Sequence, residues 1–255
     1  MSVDREREVT QAFVSLANSL VDDFDVVDLL SGLTTDCARL LDIASAGVLL
    51  ADRRGELQVL AASSETTRNL ELFQTQREQG PCLDCYHSGK PVSVADLGKH
   101  TERWPLFVEA ACAAGFASVH AVPMRLQDNV LGALGLFGIH VGALPDEDLS
   151  LAQALAHVGS VALVHGPEVA DPAAISEQLQ RTLNSRVVLE QAKGLVAQLG
   201  DLDMDQAFGA LRRYARDHDQ RLAAIARTVV SRELPVQRLI EHAHSQAVRP
   251  PSSAG

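Results

Sequence analysis

Two groups of residues have the types and spacing to do chemistry. The first is Cys82-Leu83-Asp84-Cys85, a C-x-x-C pair directly after Gly80-Pro81 at what reads as the start of a short helix. A thiol at a helix N-terminus has a lowered pKa and is a better nucleophile, so a redox pair is chemically reasonable there. Cys82, Cys85 and Cys112 form a candidate redox or ligand pocket, and His87 or His120 would extend it toward a metal site. A zinc site read from sequence needs a second, similarly spaced ligand pair, and none exists, so no metal is expected. Cys37 and Cys112 fall on apolar helical faces, where buried thiols act as small hydrophobes. That structural role is preferred over a redox switch, and a redox switch over a metal.

The second group is cationic. Residues 206–232 contain six arginines against two aspartates, with no lysine or glutamate. Arg212, Arg213 and Arg216 share one face of a helical pattern whose other face carries Ala207, Phe208, Leu211, Tyr214 and Ala215. Arg221, Arg227 and Arg232 stay accessible on the next helix. Tyr214 could stack on a base, but its position is inward and core packing is preferred; His218, a surface residue at a helix end, could stack or titrate, though such a histidine more often does neither. Upstream, Lys193-Gly194 interrupts "RVVLEQAKGLVAQLG" (186–200), although glycine inside a helix costs roughly 1 kcal/mol relative to alanine. Lys193 is read as an outward, mobile cation. Gly194, with Ala192, would let a helix or a nucleic-acid backbone approach closely. The competing reading is a plain packing notch beside a solvated charge.

Other chemistry finds no support. The glycine-rich "GALGLFG" (132–138) lies in a strand pattern without a lysine or a following helix, so it is not a phosphate loop. Haem is a minor possibility, with His87, His100, His120, His140 or His157 as ligands and no covalent attachment motif. Neither paired carboxylates nor a Ser/His/Asp set stands out. The chain is read as not an enzyme, and the sequence requires no cofactor.

The elements that must position these residues divide into two. Helical patterns at 5–20 and 23–42, a hairpin over 45–52 and 56–63, a helix over 65–80, a short helix, a Gly turn and a brief strand within 81–97, a helix over 102–116, strands within 117–140, and a helix over 145–166 make an α+β domain, an antiparallel sheet with packed helices. "GPEVADP" (166–172) is the natural joint. Beyond it only helical patterns appear, at about 175–199, 204–217, 219–232 and 236–247, where Leu195, Val196 and Leu199 are expected to cover the two short helices that follow. The division is 1–166 for the first domain, 167–174 for a linker, 175–235 for an all-α three-helix domain, and 236–255 for a C-terminal helix and disordered tail.

Charge follows the same division. The chain of 255 residues carries −11 overall, with −13 in residues 1–174 and +2 in 175–255. A composition 46% hydrophobic and 22% charged is that of a globular protein. Neither a bilayer-length apolar run nor a signal-peptide core is visible, so a cytoplasmic protein with no membrane partner is expected.

The stretch 185–230, with "QAKG", "AFGALRRYA" and "RLAAIA" at the expected spacings, closely resembles the ANTAR domain, an RNA-binding module of bacterial antitermination regulators. The region from about 24 to 165, through "GPCLDCYHSGKPVSVADL", "RWPLFVEAACAAGFASVHAVPMRL" and "NVLGALGLF", resembles a GAF domain, a sensor fold. The resemblance implies a GAF-like input, taking a small-molecule or redox signal, joined to a binder of hairpin RNA in nascent transcripts, usually a homodimer with a coiled-coil element. Carried over by motif, it places Lys193, Arg212 and Arg213 on the RNA-facing surface and Arg221 at the basic position opening the third helix, with Arg216 on the same patch. "DHDQ" (217–220) is more acidic than the usual "DHNR"-like sequence. A ligand pocket would lie between the sheet and the helices at 65–79 and 82–113. Two alternatives remain: the basic patch docks on an acidic protein partner, or the chain is a thiol-based redox sensor centred on Cys82 and Cys85.

Overall fold

The computed structural model describes residues 3–21, 25–164 and 172–247. The tail "RPPSSAG" and most of "GPEVADP", with the joint read there, lie outside the described residues. The chain separates into two compact units, residues 1–183 and 184–255.

The first unit runs α1 (Val3–Val21), α2 (Val26–Leu40), β1 (Ser45–Ala51), β2 (Leu57–Ala62), α3 (Glu65–Arg77), α4 (Pro81–Ser88) and β3 (Val92–Val94). A 3-10 turn, α5 (Pro105–Ala113), β4 (Ser118–Leu126), β5 (Asn129–Gly138) and α6 (Asp146–Leu163) complete it. The five strands form one antiparallel sheet in the order β2-β1-β5-β4-β3. Helices cover both faces, α2 and α6 on one and α3, α4 and α5 on the other. For that reason β1, "SAGVLLA", is buried at every position instead of alternating. Leu49, Ala121 and Ala133 face Cys82 and Cys85 of α4, while Met124 of β4 meets Gly159 of α6 on the opposite side. The β4–β5 turn needs a left-handed residue, which Gln127 supplies at φ 52°.

Caps set the helix starts. The Asp25 carboxylate accepts from the amides of Val27 and Asp28, and Ser64 Oγ accepts from Thr67 N. The single tryptophan, Trp104, packs at 3% exposure with Phe107, Phe116 and Phe137 between α5 and the sheet.

The chain continues into α7 (Pro172–Gly200), which begins inside the span read as linker and crosses the boundary between the units, then α8 (Met204–Asp217), α9 (Leu222–Val230) and α10 (Val236–Ala247). Asp203 and Gln206 form a reciprocal capping box at the start of α8. In the second unit Leu189, Ala192 and Val196 of α7, Ala207 and Leu211 of α8, Ile225 and Val229 of α9, and Leu239 of α10 are buried. Leu195 and Leu199, expected inward, are instead 38% and 57% exposed. Only Val196 lies on the same inner face as Leu189 and Ala192, seven and four residues further along the helix.

Candidate functional site

The Lys193-Gly194 pair is oriented opposite to the sequence expectation. Lys193 is 4% exposed and is not a mobile surface cation. It sits four residues after Leu189, on the inner stripe of α7. Its ammonium lies 3.3 Å from the Glu190 carboxylate, and Arg186, also buried, lies 2.6 Å from the other oxygen of Glu190. The Phe208 ring centroid of α8 is 5.9 Å from the Lys193 nitrogen. A buried cation persists when paired and when its methylenes replace apolar contact, and both conditions hold here. Gly194 takes the outer side. A Cβ added to it meets nothing within 4 Å, so no neighbour in this chain requires the glycine. With Val187 (58% exposed), Leu195 and Leu199 it forms an uncharged strip on α7.

The arginines follow the helical pattern more closely. Arg213, Arg216 and Arg221 are exposed and Arg212 is half-buried. The Arg216 side chain, at 75% exposure, lies 3.7 Å from Asp217. Asp217 also accepts a hydrogen bond from His242 Nε2 of α10 at 2.9 Å, and that bond, foremost, holds its carboxyl below the ordinary value. Of the two acids in "DHDQ", Asp217 is thus locally compensated, while Asp219 is exposed. Tyr214 is half-buried and stacks on His218, with ring centroids 3.9 Å apart.

In the first unit, sequence reasoning missed the central polar group. Glu71 of α3 is fully buried over two glycines that pair across β1 and β5, Gly47 and Gly135. A Cβ on Gly47 would stand 2.8 Å from Glu71 Oε1, and one on Gly135 would stand 2.6 Å from that oxygen. Gln74 Nε2 donates to Glu71 Oε2, Cys82 Sγ donates to Oε1 at 3.7 Å, and Cys82 N donates to Gln74 Oε1 at 3.3 Å. Burial raises the Glu71 carboxyl to about 8, only partly opposed by these bonds, so it is protonated at neutral pH. The signal in the sequence was the pair of glycines inside strands, which marks a close approach. The helix itself concealed it, because α3 buries Thr67, Leu70, Glu71 and Gln74, a largely polar face.

Glu71, Gln74 and Cys82 are buried between the sheet and α3/α4. An open cleft of about 570 Å³ lies farther out, bordered by the β1–β2 turn, α3 and α4 and lined by Leu57, Leu72, Leu83, Glu56, Glu78 and Asp84.

The cysteines do not form one pocket. Cys82 and Cys85 are fully buried, and burial raises both thiols, Cys85 to about 12 and Cys82 well above the ordinary value. With burial raising both, neither is an activated thiolate. Cys37 is buried as expected, but Cys112 is exposed, because α5 turns Phe107, Val108 and Ala111 inward. Among the described residues no three His, Cys, Asp or Glu side chains converge as a metal site. Nor is any described helix long and apolar enough to cross a membrane.

A sheet flanked by helices on both faces is thus followed in the chain by a small helical unit with exposed arginines. The GAF domain family model matches residues 25–164 and the ANTAR domain model residues 177–230. The chain belongs to the GAF domain family, with an ANTAR domain following: a regulator with a sensory input. Among solved structures, the GAF domain from the Acinetobacter phosphoenolpyruvate-protein phosphotransferase is 15% identical, with 68% of this chain and 99% of that chain covered and a TM-score of 0.51. A structure described simply as the GAF domain is also 15% identical, covering 63% and 90%, with a TM-score of 0.50. At these identities the likeness is one of fold. A search of curated proteins found no match.

Proposed function

We propose that this chain is a signal-responsive transcription antitermination regulator. Its ANTAR domain binds hairpin RNA in nascent transcripts, its GAF domain receives the signal, and it acts by binding, without catalysis. The observation that carries this reading is the exposed cation set Arg213, Arg216 and Arg221 within a segment that matches the ANTAR model. Arginine forks suit phosphate and the faces of unpaired bases. The outer cleft bordered by α3 and α4 is the proposed input site, of a size suited to a small molecule. The strip of Val187, Gly194, Leu195 and Leu199, which holds no charge, supports self-association through α7 and a homodimer that offers two RNA-binding surfaces at once. The thiol-sensor alternative is disfavoured by the burial and raised pKa of Cys82 and Cys85.

The test is binding of the full chain to paired-hairpin leader RNA and to a scrambled control over a salt series, comparing wild type with the Arg213→Ala/Arg216→Ala double variant. Wild type is expected to prefer the hairpins. The variant should bind more weakly, with the slope of log K against log salt reduced by about 1.5. Lys193 is the wrong residue for this purpose, because its removal strips a buried partner from Glu190 and perturbs the fold. Equal binding to scrambled RNA, or a variant that binds as wild type does, would transfer the patch to an acidic protein partner.

A further inference from the structure

The C-terminal end of α8 carries a preformed ring stack. Tyr214 and His218 lie one turn apart with centroids separated by 3.9 Å and planes inclined by only 16°, so the rings are face to face. His218 Nδ1 donates to the Tyr214 carbonyl at 2.9 Å, which fixes the imidazole in place. His242 of α10 stands 5.3 Å from the Tyr214 ring and 5.2 Å from that of His218, tilted by 75° and 59°. Two nearly equal distances to rings already stacked put His242 at the side of the column, not on its end. His218 is exposed, and the ring face turned away from Tyr214 is not covered by His242.

The charges around the stack are mixed, the exposed Asp219 next to His218 opposing the arginines on either side. Asp217 is engaged by His242 and lies close to Arg216. Arg216 and Arg221 bracket His218 in the chain, Arg221 directly before the first residue of α9, and both are exposed.

Building on the RNA-binding reading above, we infer that the free face of His218 is a stacking site for one unpaired base of the bound RNA. A base laid on it becomes the third layer of a column whose first two layers need no ordering. Bases within a stem are already stacked on their neighbours and cannot reach this face. The recipient is therefore a loop or bulge nucleotide. Stacking uses the π-face that every base has, so the site tolerates any base identity. It adds a loop contact that arginine–phosphate pairing does not supply.

The experiment uses the full chain and stem-loop RNAs selected by the wild-type protein from a pool with randomised loops. Each loop position of one selected hairpin is then replaced singly by 2-aminopurine or by an abasic residue. His218→Ala is expected to weaken binding by about 5- to 150-fold, while His218→Phe, which keeps a flat face, binds as wild type does. One 2-aminopurine position should be quenched by wild type and by His218→Phe but not by His218→Ala. An abasic residue there should bring wild type and His218→Ala to equal affinity. Binding by His218→Ala within twofold of wild type, or a His218→Phe variant as weak as His218→Ala, would overturn the stacking site. If Arg213→Ala/Arg216→Ala remained defective in the same assay, the RNA reading would stand without it. A wild-type protein that selects no hairpin overturns both.

Discussion

Replacing Glu71 by glutamine removes the titratable proton at the centre of the sensor domain while keeping the side chain's shape. Glu71 has a carboxyl raised from 4.5 to about 8 in the folded protein. Between those values the folded state holds a proton that the unfolded state releases. This contribution to stability is complete below about pH 4.5 and is lost as pH rises through 8. Each unit of pH in that window costs about 1.4 kcal/mol, so raising the pH from 5 to 8 removes roughly 3–4 kcal/mol. For a domain of this size that is a fall in Tm of about 10 °C. His120 acts in the opposite sense: burial lowers its pKa, so its contribution is present above 6.5 and lost as pH falls. It is common to both proteins and cancels in their difference. Trp104, the single tryptophan, is buried in the sensor core, so its fluorescence during thermal unfolding reports this domain alone. Wild type should lose stability from pH 5 to 8 relative to Glu71→Gln, whose profile lacks this slope. Parallel pH profiles for the two proteins would refute the buried protonated acid.

Gly194→Ala places a methyl in open space within the chain. It should therefore raise the stability of the helical unit by about 0.5–1 kcal/mol in urea unfolding followed by circular dichroism, while weakening self-association in sedimentation. A loss of stability would mean the face is occupied within the chain. In alkylation followed by mass spectrometry, Cys112 should label rapidly in the folded protein, and Cys37, Cys82 and Cys85 only on unfolding. Fast labelling of Cys82 or Cys85 would restore the thiol-sensor alternative.

Much of the architecture was legible from local patterns. The hairpin, the order of helices and strands, and the limits of α8 at Met204–Asp217 and α10 at Val236–Ala247 follow from apolar periodicity and from caps such as Asp203. These are short-range properties, and the chain writes them residue by residue. The arginine face of α8 was equally readable, because Arg213 and Arg216 lie opposite an apolar stripe of fixed period. Orientation about α7 was not. Adjacent residues on a helix point 100° apart, so the type of residue alone does not say which of Lys193 and Gly194 faces inward. Glu190 and Arg186 decided it by giving a buried ammonium a partner, and only packing against Phe208 brings that network under cover. The sensor's centre depended still more on distant parts of the chain. Gly47, Glu71, Cys82 and Gly135 become neighbours only when β1 pairs with β5 and α3 and α4 close over them. Desolvation by that closure makes Glu71 a neutral acid and Cys82 an inert thiol, and a linear sequence carries no measure of it.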